Sequence, residues 1–484
     1  MKRIIAIIIL LLLPLFYFTS CSKIEDLQED PNRATSVSPE LLLTNIQTKA
    51  FNNVSLSSAL ASRYLSYTNG VNSNQYYNWQ RSGFGKYDDL KQVKKMMEES
   101  EKAGIEIYQI LGRFFNSYFI IDLTRTFGDV PYTEAVLATE AIYQPVYDSQ
   151  KSIYLSVLDD LKSVSDALAE NQEPIVGDII FKGNKLKWRK LINAYYLRVL
   201  MSLSNKTGDS DLNIRSRFQE IINNPAQYPL MTSNSDNGAL NYFNIQDNRY
   251  PYFNDNDLQT AYYMEQNFVD KLKDFEDPRL FRFAEPKPTA ADDDMNDFES
   301  YGGLKGSEDL NINTSKAVSG EASRIAERYF FDPVNEPSIL MSYWEQEFII
   351  AEAAVRSWIA VDPETHYRNG VAASFDFFKT PMPEDYFDND RIDLDAGNEI
   401  QKILEQKYIS MFMNTGWQIF FEQRRTGFPE FNTDGAGILN NGRIPKRWMY
   451  PMDEATNNAE HLEEAINRQF SEGDDINAQM WLLN

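Results

Sequence analysis

The sequence predicts an all-α protein, built from paired helices joined by long irregular loops, with little strand. Three observations predict it. Apolar residues recur every three or four positions over long stretches, as Leu155, Leu158, Leu161, Val164 and Leu168 do within 149–169. Helix start and stop signals bracket such stretches, with Ser38-Pro39-Glu40 at one beginning and Thr68-Asn69-Gly70 at one end. The intervening stretches 223–257 and 284–339 carry few periodic signals and many Asn, Asp and aromatic residues.

The chain opens with Lys2 and Arg3, then an unbroken apolar run of fifteen residues from Ile4 to Phe18, then Thr19, Ser20 and Cys21. The run is too short to span a bilayer comfortably, and its flanks are those of a secretory signal. Residues 1–20 are therefore expected to be removed. Cys21 is the one cysteine of the 484-residue chain. A thiol at that point is what bacterial lipoprotein processing acylates, although Phe18 stands where leucine is usual. The other reading is an ordinary cleavage site that happens to contain a cysteine. Residues 21–37, acidic from Glu25 to Asp30, form the expected lipidated tether.

Ser38 is the expected cap of the first helix, with Pro39 at its first position and Glu40 in its first turn. A second helix is expected over Leu56 to Tyr67, followed by a loop from Val71 to Gly85. Lys91 to Ala103 and Ile105 to Thr126 form a pair split by Gly104, and Phe127-Gly128-Asp129-Val130-Pro131-Tyr132 is a sharp turn. Helices follow at Ser149 to Ala169, Trp188 to Leu203, Leu212 to Ile222 and Leu258 to Leu272. After the polar region, Ile339 to Ala360 and Glu364 to Phe378 are joined by Val361-Asp362-Pro363, an N-cap with proline at the first helical position. Glu399 to Met413, a helix ending near Arg425-Thr426-Gly427, and Glu454 to Phe470 complete the set. Helix pairs with short turns suggest stacked hairpins of tetratricopeptide type, without a clean 34-residue period. No Pro/Gly/Ser-rich linker divides residues 38–484, which read as one interlocked helical domain.

Composition excludes several function classes. The formal charge is −24, and removal of Lys2 and Arg3 with the signal takes it to −26. That argues against nucleic acid and against electrostatic docking on an anionic membrane. Two histidines, His366 and His461, leave little for histidine-based metal sites or catalysis. Two acidic clusters, Asp292, Asp293, Asp294 and Asp297, and Asp388, Asp390, Asp393 and Asp395, lack the spacing of a calcium loop and read as solvated loops. No cofactor and no metal are expected.

Aromatic residues make up 13% of the chain, and most belong to a core. The loop after the second expected helix interleaves Tyr76, Tyr77 and Trp79 with Asn74, Asn78 and Gln80. Such a loop suits a carbohydrate, which needs a stacking face and bidentate hydrogen bonds. Equally, the rings can tuck inward and pin the loop. Tyr250, Tyr252 and Tyr301 are second candidates.

Several segments, in order, carry a family resemblance. They are Glu29-Asp30-Pro31-Asn32 with Ser36-Val37-Ser38-Pro39, the Phe127 to Ala135 turn, and Gly183 to Met201 with Trp188 and Leu197-Arg198. Asp277-Pro278-Arg279-Leu280, Glu347 to Ala353, Arg424-Arg425-Thr426-Gly427 and Arg443 to Pro451 complete them. The chain resembles the SusD/RagB outer-membrane nutrient-binding lipoproteins, and within them the SusD-like group. The resemblance implies an all-α body of tetratricopeptide-like pairs, acting as a lid on a SusC-type TonB-dependent transporter and without enzymatic activity. It also implies an outer-membrane location facing the exterior, since the acidic run after Cys21 resembles the export signal of such lipoproteins. Family ligands are usually oligosaccharides, sometimes peptides or other nutrients, held on loops near the early helices and mid-chain. Most matching motifs are expected to be scaffold, with Arg424 and Arg425 locking helix ends through ion pairs. The competing readings are a lipid-anchored glycoside hydrolase, which needs two carboxylates roughly 5–10 Å apart across a cleft, and a purely structural scaffold.

Overall fold

The computed structural model describes residues 37–290, 295–394 and 398–484. Residues 1–36, with Cys21 and nearly all of its tether, and Asp292, Asp293, Asp294 and Asp395 lie outside the described residues.

Helix α1 (Pro39–Phe51) starts where Ser38 and Pro39 place it and buries Leu42, Leu43, Ile46 and Phe51. A short helix, Leu56–Ala61, is capped by the Ser55 side chain. It stops well before Tyr67, where the sequence pattern carried it. Arg63 takes a left-handed φ of 56°, and Leu65–Tyr67 leaves as strand β1. Long-range pairing with residues 262–264 overrides local helical spacing there.

Helices α2 (Lys86–Ala103) and α3 (Ile107–Phe127) are divided at Gly104, whose φ of 68° closes α2 with a left-handed cap. Strands β2 (Val130–Pro131) and β3 (Tyr147–Asp148) pair across the following loop. Asp129 accepts the Gln150 backbone N–H at 2.7 Å and Arg468 Nε at 2.7 Å, tying this turn to the chain's C-terminal part. Helix α4 (Gln150–Glu170) is capped by Ser149, α5 (Lys185–Ser202) by Asn184, and α6 (Ile214–Asn223) follows. Consecutive members of α2–α5 pack against each other. Trp188 of α5 sits among Phe51, Phe114, Phe115 and Phe181, and its indole N–H reaches Asp178 at 2.9 Å.

The expected helix Leu258–Leu272 is instead a short turn of helix, Asn256–Thr260, then strand β5 (Tyr262–Met264) pairing with β1, then α7 (Gln266–Asp274). Strand β4 (Gly238–Leu240) had been crossed before it. The polar region holds α8 (Leu310–Val318) and a short helix, Arg328–Phe331. Strand β6 (Ser338–Met341) pairs with β4 and takes the first residues assigned by pattern to a helix. Ser342 then caps α9 (Tyr343–Val355), and α10 (Pro363–Phe377) begins at its Asp362 cap. Helices α11 (Glu399–Ser410), α12 (Gln418–Thr426) and α13 (Ala459–Gln469) complete the body; the last is separated from the short helix Glu454–Asn457 by Asn458. The α9–α11 group meets the early helices where α9 packs on α5.

That junction is charged and buried. Arg198 of α5 donates to Glu345 of α9 at 2.8 Å and to the Leu340 carbonyl at 2.6 Å. Arg425 of α12 bridges Glu352 at 2.6 Å and Glu422 at 2.5 Å, as the sequence suggested for a helix-end lock. Lys407 lies between Glu422 at 3.2 Å and Glu345 at 3.6 Å. Arg424 departs from the expectation: it donates to the carbonyls of Lys446 and Arg125 and to no carboxylate.

Glu265 joins three segments. Its carboxylate accepts backbone N–H groups from Asn267 at 2.7 Å, Phe268 at 3.3 Å and Gly306 at 3.1 Å, and so both caps α7 and holds the 303–307 loop. Burial pushes its acidity to about 7, against the partial relief of Arg63 and those N–H donors. A carboxyl whose folded value lies above its unfolded value of 4.5 is stabilising in its protonated form and loses that contribution as pH rises. Relative to a Glu265→Gln variant, the wild type is expected to lose about 3 kcal/mol of stability between pH 4.5 and pH 7, levelling off above that. Urea denaturation of both proteins across pH checks this, and a stability difference independent of pH contradicts it.

Candidate ligand-binding site

A cleft of about 490 Å³ opens between the early helices and the C-terminal segments. One wall is Asn52-Asn53 at the end of α1 with the loop from Ser82 to Lys86. Helix α3 contributes Tyr118, Asp122 and Arg125, spaced three or four residues apart so that one helix face meets the cleft. Tyr195 and Arg198 of α5 reach it from beneath, and Thr415 to Gln418 with Phe421 and Trp448 close the far side. Aromatic surface and hydrogen-bonding groups therefore alternate around one concavity, as in ligand sites generally.

The charges are of both signs. At the mouth, Lys86 lies 3.7 Å from Asp89. Burial works against the Lys86 ammonium, but Asp122 and Tyr118 outweigh it and hold it above its ordinary value. Asp89 is raised by burial, partly offset by Lys86. Deeper, Arg125 donates to Gln418 Oε1 at 2.8 Å and lies 4.1 Å from the centre of the Phe421 ring. Tyr118 donates to Asn53 Oδ1 at 3.3 Å, and burial raises its hydroxyl. The buried Thr415 hydroxyl has no hydrogen-bond partner among the described residues. No histidine is among the described residues lining the cleft, so its hydroxyl groups have no imidazole beside them.

The aromatic residues singled out from sequence lie elsewhere. Trp79 is 5% exposed: its face is stacked on Trp448 at 4.8 Å, its edges meet Tyr77, Trp417 and Phe420, and its N–H binds the Arg447 carbonyl. Tyr77 is fully buried, donates to the Ala61 carbonyl and is covered by Arg63. Tyr76 is buried beneath residues 437–439. These rings pin the loop to the body rather than offer a stacking platform, because their faces are worth more against other aromatics than in water. Of their companions, Asn78 and Gln80 are exposed and Asn74 is half-buried, and none lines the cleft. Tyr250 is buried among Tyr242, Tyr252 and Tyr329, Tyr252 is half-buried with its oxygen accepting the Leu56 N–H, and Tyr301 is buried against Phe281. The expected region is nonetheless adjacent: the same loop runs on into the cleft wall at Ser82 to Lys86.

Sequence reasoning missed Tyr118, Asp122, Arg125 and Trp417 because the cleft is assembled from segments far apart in the chain. The one local signal was a set of polar and charged residues, 118, 122 and 125, at helical spacing on a helix that is mostly buried.

A family model, SusD-like_2, described as starch-binding associating with outer membrane, matches residues 31–451. The chain belongs to this family. Among solved structures it is similar to a Bacteroides vulgatus outer-membrane protein described in terms of nutrient binding, with 40% identity, a TM-score of 0.87, and coverage of 93% of this chain and 100% of that one. A SusD homologue from Bacteroides fragilis is 37% identical with a TM-score of 0.85 and the same coverages. A chitin-binding protein at 22% identity and a TM-score of 0.75, covering 92% of this chain and 100% of that one, shares the fold. No curated protein matches the chain. The SusD-like assignment and the all-α fold made from sequence thus hold, and a nutrient-binding role associated with the outer membrane goes with the family. Among the described residues no helix is long and apolar enough to cross a membrane.

Because Trp79 is a packing residue, Trp79→Ala is expected to destabilise the fold by about 3–5 kcal/mol. Thermal and urea unfolding check this, and a variant of wild-type stability would show that the ring is not a keystone of the loop.

Proposed function

We propose that this SusD-like protein is a cell-surface lipoprotein, anchored to the outer membrane through Cys21, that captures an oligosaccharide in the cleft without cleaving it. It then delivers the ligand to a SusC-type TonB-dependent transporter. Family membership over residues 31–451 carries the reading, since the family is described by starch binding and outer-membrane association. The cleft adds physical support. Tyr118, Tyr195 and half-buried Trp417 supply ring surface, and Asn52 and the Ser82 to Lys86 loop supply polar groups of the kind that sugar hydroxyls require. The anchor reading rests on Cys21 and the apolar run before it, and the transporter partnership on the family.

Titration calorimetry of the detergent-solubilised lipoprotein with oligosaccharides and short peptides tests capture, with the products analysed for cleavage. Binding of one class without turnover is expected, and Trp417→Ala is expected to weaken it by roughly tenfold through lost ring contact. Turnover would favour the hydrolase reading, and unaltered affinity in the variant would move the site out of the cleft. For the anchor, Cys21→Ala is expected to abolish fatty-acid labelling and to release the protein from the membrane fraction. Retention of the label would refute lipidation at Cys21.

A further inference from the structure

Part of the buried positive charge beneath the cleft has no carboxylate in direct contact. Along the α3, α5, α9, α11 and α12 junction the buried cations include Arg125, Arg198, Lys407, Arg424 and Arg425, and the carboxylates that face them are Glu345, Glu352 and Glu422, while the buried Glu347 and Glu405 pair outward with His366 and Lys271. Arg198 and Arg425 each hold a carboxylate directly, and Lys407 shares the same acids. Arg125 and Arg424 have no carboxylate within ion-pair distance among the described residues. Arg424 donates only to two carbonyls, its Nε is without a partner, and burial together with Arg125 lowers it to about 9. Lys446, whose carbonyl Arg424 holds, is itself lowered by burial and by Arg424. The cations at this junction without a directly paired carboxylate among the described residues are thus the buried Arg125 and Arg424 and the half-buried Lys446, in a protein whose formal charge is −24.

Of these three, Arg125 alone lines the cleft. Its one side-chain hydrogen bond among the described residues is to Gln418, whose own Nε2 donates to Glu422 at 2.8 Å, so Glu422 acts on it across an amide and not in contact. Thr415 lines the same cleft, with a buried hydroxyl that has no partner among the described residues and a carbonyl that accepts the N–H of the same Gln418. Asp122, one turn before Arg125 on α3, makes no ion pair within 4 Å among the described residues and acts instead on Lys86 at the mouth. A buried guanidinium without a carboxylate in contact is costly, and a buried hydroxyl without a partner adds to that cost. A ligand oxygen anion entering the cleft would relieve both.

We propose that the cleft recognises its ligand through a carboxylate, held at the floor by the Arg125 guanidinium and the Thr415 hydroxyl. This rests on the capture reading and narrows its ligand class. The carboxylate could belong to an acidic sugar or to a peptide C-terminus, and two matched probe pairs separate these sources. The detergent-solubilised full-length lipoprotein is titrated with a galacturonate disaccharide and its methyl ester, and with a tripeptide bearing a free or an amidated C-terminus. In at least one pair the acid is expected to bind roughly 10–100-fold more tightly than its neutral partner, the range of a hydrogen-bonded charge. Arg125→Gln is expected to erase that preference. Because Arg125 is buried and its variant could fail to fold, Thr415→Val provides a second reading: a partial loss of affinity for the acid and none for the neutral probe.

Equal or tighter binding of the neutral partners, or an acid preference that survives in folded Arg125→Gln, overturns the proposal. So does silence of both acids at millimolar concentration. Capture itself fails separately, if no oligosaccharide or peptide of any charge binds; neutral sugars binding alone would leave capture standing and remove the carboxylate.

Discussion

The structure depends on a buried ionic junction. Arg198, Glu345, Lys407, Glu422, Arg425 and Glu352 link α5, α9, α11 and α12 through contacts that are nearly closed to water. Such a network is worth little against a well-packed apolar substitute, yet removing one partner strands a charge and costs about 3–5 kcal/mol. It therefore sets position more than it supplies stability. Each charge must meet its partner in one arrangement of the helices, which fixes how the late helices sit on the early ones. The cleft lies at this junction, and Arg198 belongs to both. Glu352 and Glu422 are held below the usual carboxylate range, burial being outweighed by Arg425. Their contribution is complete above the ordinary carboxylate range and is lost only as pH falls through the depressed values.

Around that fixed junction, aromatic side chains set the loops. Trp79, Trp417, Phe420 and Trp448 form one cluster, with Trp79 and Trp448 stacked and the others meeting them edge-on. This joins the 70s loop to the C-terminal segment and leaves Trp417 facing the cleft. Asp178 plays the same part with polar chemistry: it takes the Trp188 N–H, the Gln47 amide and backbone N–H groups from Ile180, Phe181 and Gly183, so a long loop is held by one carboxylate. Tight loops of this kind present backbone and amides outward while the rings are consumed inside.

This accounts for what could be read from sequence. Helices whose burial is set by their own amphipathic face, such as α4 and α10, begin within a residue or two of where periodicity and caps place them. The errors fall where a distant partner competes. Leu65–Tyr67 pairs with residues 262–264, and Ser338–Met341 pairs with Gly238–Leu240; in each case a strand of three or four residues replaces a continuing helix. The Tyr76–Trp79 segment had the residue types of a sugar platform, but residue type cannot tell a ring that faces water from one that faces Trp448. Arg125 was hidden for the opposite reason: it lies within a helix that reads as core, and its lack of a carboxylate is a property of the assembled interior.

The distribution of charge gives the cleft a character the net charge does not suggest. With a formal charge of −24, the surface potential disfavours the approach of an anion, but at physiological salt such repulsion fades within about 8 Å. Inside the cleft the local dielectric is lower, and the Arg125 guanidinium acts at contact distance with little screening. Long-range field and local site therefore act at different stages: the first slows the encounter, the second governs how long the ligand stays. Asp89, Asp122 and Lys86 at the mouth stand between them, carrying both signs where a ligand first arrives. On the proposed capture reading, this separation puts the discrimination between acid and neutral ligands at one buried contact, while the rings around the cleft serve either kind.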